Sequence, residues 1–146
     1  IRKAMTIATV AALLGLFLNQ CIGFLYWHPR PFMVPIGHTL MQHAPDSSFP
    51  SDHLTFWWGI AFSLWLQKYS RLGSALALAG LPIAWARIYL GVHFPFDMAG
   101  AALVAAASAW GSLRASAWYL TPVFGLALKL YRKLFAPLIA LGWVRR

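Results

Sequence analysis

Residues 4–27 read AMTIATVAALLGLFLNQCIGFLYW, a run without any charged side chain. A helix needs about 20 apolar residues to cross the hydrocarbon core of a bilayer. Three further apolar runs follow, at residues 54–67, 72–90 and 96–113. The run at 54–67 is short, Pro82 predicts a kink in the next one, and the last is rich in the small residues that let helices pack closely. The sequence therefore predicts an all-α, polytopic transmembrane helix bundle with four spans.

The composition excludes the common soluble classes. Of the 146 residues, 60% are hydrophobic and 10% are charged, whereas a soluble domain carries about 25% charged residues. So short a chain cannot bury that much apolar surface in water, and a disordered chain is excluded for the same reason. The net charge is +9, but the basic residues stand at the ends of apolar runs. This pattern indicates a membrane topology, so we expect membrane lipids as partners and no nucleic acid.

Lysine and arginine mark the cytoplasmic side of a membrane protein. If the chain starts on that side, only Arg30 and Arg87 fall outside. The inverted orientation would place most of the basic residues outside, so it is rejected. The inside residues are Arg2, Lys3, Lys68, Arg71, Arg114, Lys129, Arg132, Lys133, Arg145 and Arg146.

The segment after the fourth run has a different pattern. Lys129, Arg132 and Lys133 share one helical face, and leucines line the other. Such a helix lies in the membrane interface against anionic lipids. We predict a single membrane-embedded domain over residues 1–146, in which residues 115–146 form a cytoplasmic interfacial tail with an amphipathic helix. A fifth span through these charges is less favoured.

Ionisable side chains gather at the predicted outer ends of the spans. The first group is PRPF at residues 29–32, and the second is SFPSDH at residues 48–53. The third places Arg87, His93 and Asp97 around the turn between the last two spans. Ionisable residues at membrane depth are costly and usually serve a function, so these groups are the candidate site.

The residue types in these groups suit chemistry on a phosphate. Arg30 and Arg87 offer forked donors that match phosphate oxygens, and the helix start at Ser51 favours an anion. Asp97 lies four residues after His93, so it can bind one imidazole nitrogen and leave the other free to attack phosphorus.

The proton for the leaving group is expected from a different loop. His53 is placed to protonate the departing oxygen, whereas Asp52 would repel phosphate and is given an orienting role. The predicted reaction is phosphoryl transfer through a phosphohistidine, with arginine holding the developing charge.

In this order, the patterns Arg-Pro, Pro-Ser-x-His and Arg-x5-His-x3-Asp resemble the type 2 phosphatidic acid phosphatase superfamily. The closer resemblance is to its bacitracin-resistance branch, the undecaprenyl-diphosphate phosphatases, through PRPF, His43-Ala44, residues 48–53 and residues 87–97. The resemblance implies six transmembrane helices, of which this chain would hold the last four. It also implies catalysis at the outer face with no metal and no other cofactor.

The resemblance also implies roles for single residues. The phosphate would be bound by Arg30, Ser51 and Arg87, with Asp52 in the same motif, while catalysis would use His53 as acid, His93 as nucleophile and Asp97 to orient His93. The implied substrate is a polyprenyl diphosphate lipid, and the implied product is undecaprenyl phosphate for cell-wall synthesis and bacitracin resistance. The implied location is the bacterial cytoplasmic membrane, multi-pass, with the active site facing the periplasm or the cell exterior.

Three positions depart from the broad superfamily. Gly23 stands where a lysine is usual, Asp52 replaces a glycine, and Ala86 replaces a serine. The Asp52 departure is itself a mark of the bacitracin-resistance branch. Without the lysine the site has one phosphate-binding cation fewer.

Other interpretations stay open at this point. The loop residues His28, His38, His43 and Asp46 have the chemistry to bind a metal such as zinc, although loop or headgroup contacts are favoured. The enzyme could instead act on phosphatidylglycerophosphate or lipid A, or transfer the phosphate to a lipid acceptor. A transporter is disfavoured because the ionisable residues cluster at one face.

Overall fold

A computed structural model describes residues 1–34, 36 and 38–144, and that part of the chain contains helices and no strand. The predicted all-α bundle is therefore confirmed. Arg145 and Arg146, two of the predicted inside charges, lie outside the described residues. The helices are α1 (Arg2–Leu25), α2 (Asp52–Leu66), α3 (Ser70–Tyr89), α4 (Pro95–Leu134) and α5 (Ala136–Ala140), with a 3-10 turn at Pro31–Met33.

Three of these helices, α1, α3 and α4, are long and apolar enough to cross a membrane. Helix α2 has 15 residues, fewer than the roughly 20 that a span needs, so the count of four spans stays a prediction. Helix α4 has 40 residues and passes through Ala115 without a break. The predicted tail therefore begins inside this helix, and its position in the interface stays a prediction.

Small residues allow three helices to pack closely. Helices α1, α2 and α4 contact one another, while α3 packs mainly against α2. A side chain at Gly59 would put its Cβ 3.2 Å from Cα of Ala12, and one at Gly15 would lie 2.8 Å from Cγ2 of Thr55. On α4, Ala101 and Ala105 are fully buried. The small residues of the fourth run thus serve helix packing, as the sequence predicts.

The antiparallel order of the helices brings all the predicted site segments to one end. At the other end, Gln67 donates to the carbonyl of Ala4 at 3.2 Å and Ser112 donates to the carbonyl of Ile7 at 3.0 Å. The site end is closed by the loop from residue 26 to 51 and by the turn from 90 to 94. The amide of Leu40 donates to the carbonyl of Leu90 at 3.1 Å, which ties this loop to that turn.

Candidate active site

The start of α4 fixes the relative position of His93 and Asp97. Pro95 lies in the first turn, where its missing N–H costs nothing. The Asp97 carboxylate accepts a hydrogen bond from the amide of Phe94 at 2.8 Å, as a residue in the first helical turn can. The same oxygen, Oδ2, lies 3.2 Å from Nδ1 of His93. The contact predicted from the four-residue spacing is therefore present.

The surroundings of His93 determine which nitrogen is free. Nδ1 faces two acceptors, Oδ2 of Asp97 at 3.2 Å and the carbonyl of Ser48 at 2.9 Å. The proton consequently belongs on Nδ1, and Nε2 keeps its lone pair. Ser48 is fully buried, and its hydroxyl donates to the same Asp97 oxygen. Ser48, to which the sequence assigned no role, thus holds both members of the pair.

Burial also affects the protonation of His93. Only 3% of the residue is exposed, and this desolvation lowers the pKa of the imidazole below its ordinary value. The hydrogen bond to Asp97 opposes the decrease in pKa, and the positive charge of Arg30 adds to it. The ring is therefore held in the neutral form that a nucleophile needs.

Arg30 reaches the free nitrogen from the other side. Its Nη1 lies 3.2 Å from Nε2 of His93 and donates to the carbonyl of Val92 at 2.9 Å. Its Nε donates to Asp46 at 2.7 Å, and its Nη2 to the carbonyl of Ser47 at 3.3 Å. The guanidinium is buried, 5% exposed, and is held on every side while Nη1 points at Nε2 of His93.

Arg87 comes from the last turn of α3 and has fewer hydrogen-bond partners than Arg30 among the described residues. Its Nη2 lies 3.3 Å from Nε2 of His43. Nδ1 of His43 lies 3.0 Å from the carbonyl of Ala44, so the proton sits there and Nε2 accepts from the arginine. Nε of Arg87 is buried and finds no partner within the described residues. Arg87 therefore keeps donors for an anion.

A cavity of about 680 Å³ joins these side chains. Arg30, Arg87 and His93 line it together with His53, which is exposed. Segments that are distant in sequence thus bring both arginines and both histidines to one cavity. The end of helix α1 and the residues just after it supply a wall that includes Gly23 and the apolar residues Phe24 and Trp27.

Ser51 and Asp52 differ in their position. Ser51 is the N-cap residue of α2, but its hydroxyl makes no capping bond. The residue is fully buried, and its hydroxyl finds no partner in the described part of the chain. Ser51 does not line the cavity. Asp52 lines the cavity and accepts from Asn19 at 2.8 Å and from Gln20 at 3.4 Å. Phosphate binding by either residue stays a prediction.

Asn19 is a site-end residue that the sequence analysis did not single out. Only 3% of it is exposed, and its amide also donates to the hydroxyl of Thr55 at 3.0 Å. It joins α1 to the first turn of α2, beside His53. The signal was present in the sequence, since Asn19 and Gln20 interrupt an otherwise apolar run.

Among the described residues, the loop histidines do not come together as the alternative metal site would require. Within the described residues no three His, Cys, Asp or Glu side chains form a group able to hold a metal ion. His28 packs edge-on against the ring of Phe94, and His38 is exposed. His43 instead contacts Arg87, as described above.

Comparison with known proteins identifies the family of the chain. Residues 4–141 match the PAP2 superfamily, and the chain belongs to that superfamily. No solved structure gives a significant match.

The chain is also similar in sequence to three curated proteins. The chain is 40% identical to YbjG of Escherichia coli (strain K12), provisionally named an undecaprenyl-diphosphatase, over 99% of this chain and 73% of that protein. It is 38% identical to the undecaprenyl-diphosphatase BcrC of Bacillus subtilis (strain 168), over 71% of this chain and 53% of that protein. It is 34% identical to the bacitracin transport permease protein BcrC of Bacillus licheniformis, over 74% of this chain and 53% of that protein. The chain thus spans about half the length of the two Bacillus relatives.

Proposed function

We propose that this membrane protein hydrolyses undecaprenyl diphosphate to undecaprenyl phosphate and inorganic phosphate. The observation that carries the proposal is the state of His93. Its Nδ1 is held by Asp97 and Ser48, and its Nε2 lies 3.2 Å from an arginine N–H beside an open cavity. This arrangement suits attack on phosphorus next to a group that can hold the charge of the transition state.

The proposed reaction has two steps. Nε2 of His93 attacks the terminal phosphorus, so that a P–N bond forms and the bond from that phosphorus to the bridging oxygen breaks. The oxygen leaves with the lipid monophosphate and takes a proton from His53. In the second step water attacks the phosphohistidine and gives its proton to His53 as the P–N bond breaks. Inorganic phosphate leaves, and both histidines return to their starting states.

The two arginines have different parts in these steps. In the resting site Arg30 donates towards the lone pair that must attack, so the incoming phosphate oxygen has to take over this N–H. Among the described residues Nε of Arg87 has no partner, and Arg87 lines the cavity, so we expect it to meet the phosphate before Arg30 does. Both cations then face the equatorial oxygens, where negative charge accumulates.

The position of the cavity suits a lipid substrate. Phe24 and Trp27 line the cavity and are themselves exposed, 91% and 56%. A polyprenyl chain can lie along this apolar wall in the bilayer while its diphosphate enters the polar end. The basic residues at the opposite end of the bundle favour a cytoplasmic location for that end, so the active site is proposed to face the periplasm or the cell exterior.

The test is phosphate release from undecaprenyl diphosphate by the purified protein in detergent, with excess chelator. We expect release in wild type and in His38→Ala, an exposed loop histidine that serves as the matched control, and none in His93→Ala. With substrate labelled in the terminal phosphate, the wild-type protein should carry an acid-labile label that His93→Ala lacks.

Each contrary outcome has a defined meaning. Full turnover in His93→Ala would overturn the mechanism, and release that needs a metal would refute the metal-independent reaction. Faster transfer of the label to a phospholipid than to water would identify a phosphotransferase. Absence of release, with hydrolysis of another lipid phosphate, would overturn the substrate assignment alone.

A further inference from the structure

The loop between α1 and α2 contacts both arginines of the cavity. His43 accepts from Nη2 of Arg87 at 3.3 Å, and Asp46 accepts from Nε of Arg30 at 2.7 Å. The carbonyl of Ser47 accepts from Nη2 of Arg30 at 3.3 Å. We call residues 43–47 the clamp loop. Its three contacts reach two cations, Arg30 and Arg87, which lie 57 positions apart in the sequence.

The clamp loop holds one edge of Arg30 and leaves the other for chemistry. The guanidinium has five N–H groups in a rigid plane. Asp46 and Ser47 occupy the edge formed by Nε and Nη2, whereas Nη1 points to the carbonyl of Val92 and to Nε2 of His93. Because the plane is rigid, fixing the first edge also fixes the direction of the second.

The contact between Asp46 and Arg30 joins an exposed carboxylate to a buried guanidinium. The Asp46 side chain is 61% exposed, whereas that of Arg30 is 6% exposed. A pair on the protein surface contributes little to stability, so this contact gains its importance from the buried partner. Asp46 also places a negative charge close to the expected phosphate, which weakens the binding of any anion.

We propose that the clamp loop positions the two phosphate-binding arginines, and that Asp46 in particular is a positioning residue for Arg30. The proposal deepens the proposed function and rests on it. Asp46 does not touch the reacting atoms; it sets the direction of the N–H that passes from His93 to the phosphate. Its removal should therefore impair the transition state while the ground-state affinity for substrate is kept or improved.

The first experiment compares Asp46→Ala, Asp46→Asn and wild type, with Gln42→Ala as a matched control on an exposed position of the same loop. We expect Asp46→Ala to lower kcat about ten- to a hundredfold, the order of loss that a misplaced catalytic group causes. KM should be unchanged or lower, because a repelling charge is gone. Asp46→Asn keeps an acceptor oxygen and should recover most of kcat, and Gln42→Ala should match wild type.

A double-mutant cycle separates positioning from general damage. The Arg30→Lys variant lacks the forked guanidinium. In that background, adding Asp46→Ala should lower kcat by less than about twofold. The same loss in both backgrounds would overturn the proposal. A lower KM with unchanged kcat in Asp46→Ala would also overturn it, because Asp46 would then be a competing anion only.

A binding measurement tests the role of Asp46 without using the proposed substrate. Orthovanadate imitates the transition state of phosphoryl transfer, and phosphate imitates the product. In thermal-shift titrations, Asp46→Ala should weaken vanadate binding about tenfold or more relative to phosphate binding. If the wild-type protein binds vanadate but does not hydrolyse undecaprenyl diphosphate, the proposed substrate fails while this comparison still stands. Equal weakening of both anions would refute the positioning role.

Discussion

Replacing Asp97 by Asn changes the charge beside His93 with little change in shape. All three hydrogen bonds that the Asp97 side chain accepts in the described structure, from Phe94, Ser48 and His93, go to the single oxygen Oδ2. An asparagine can place its oxygen there and its amide nitrogen on the other side. The variant should therefore fold, and its defect should lie in catalysis.

The size of the defect follows from the second acceptor at Nδ1. In serine proteases the equivalent Asp-to-Asn change costs about 10⁴ in kcat, because the histidine adopts the wrong tautomer. Here the carbonyl of Ser48 accepts from Nδ1 of His93 at 2.9 Å and preserves the tautomer. What is lost is the negative charge that stabilises the imidazole as it becomes positive. We therefore expect a smaller loss, about 10²–10³ in kcat, which corresponds to about 3–4 kcal/mol.

The assay is steady-state phosphate release at saturating substrate, with thermal unfolding of the same samples. Ser112→Ala is the control, because Ser112 is buried on the same helix and donates to the carbonyl of Ile7 at the other end of the bundle. It should lose about 1 kcal/mol of stability and no activity. If Asp97→Asn turns over within about threefold of wild type, the orienting and charge-stabilising role is refuted.

Further predictions concern the arginine, the pH dependence and the packing of the site. Arg30→Lys loses the fork but keeps the charge, and should lower kcat about 10–100-fold; unchanged kcat would contradict this. Because burial lowers the pKa of His93, its NMR titration midpoint should lie below about 6.5. The unfolded chain then binds the proton more tightly than the folded protein, so the free energy of unfolding should fall as the pH drops below about 6.5. A midpoint at or above this value would contradict the burial argument. A Cβ at Gly100 would lie 2.3 Å from the ring of Phe49, so Gly100→Ala should displace the loop next to the site and reduce activity as well as stability. Asn19→Leu should cost about 1–3 kcal/mol in unfolding free energy by leaving buried partners unsatisfied, and a neutral result would show that water replaces them.

The sequence was sufficient for the class of protein and for predicting which ionisable side chains meet at the cavity. Long uncharged runs can be stable only in a bilayer, so the helical bundle follows from composition. Ionisable residues beside such runs are costly, so Arg30, His93 and Asp97 could be selected as candidate site residues from their position alone. The contact between His93 and Asp97 was also predictable, because a spacing of four residues fixes their geometry on one helix start.

Other features depend on contacts between distant parts of the chain. Arg30 and His93 are 63 residues apart, and Asn19 and Asp52 are 33 apart. No local spacing predicts such pairs, because helix packing decides them. The tertiary structure therefore decides that Nε2 of His93 is the free nitrogen, that Asp46 holds Arg30, and that α4 continues past Ala115. The physical reason is that composition determines which groups must find partners, while only the packed helices determine which partners lie within hydrogen-bond distance.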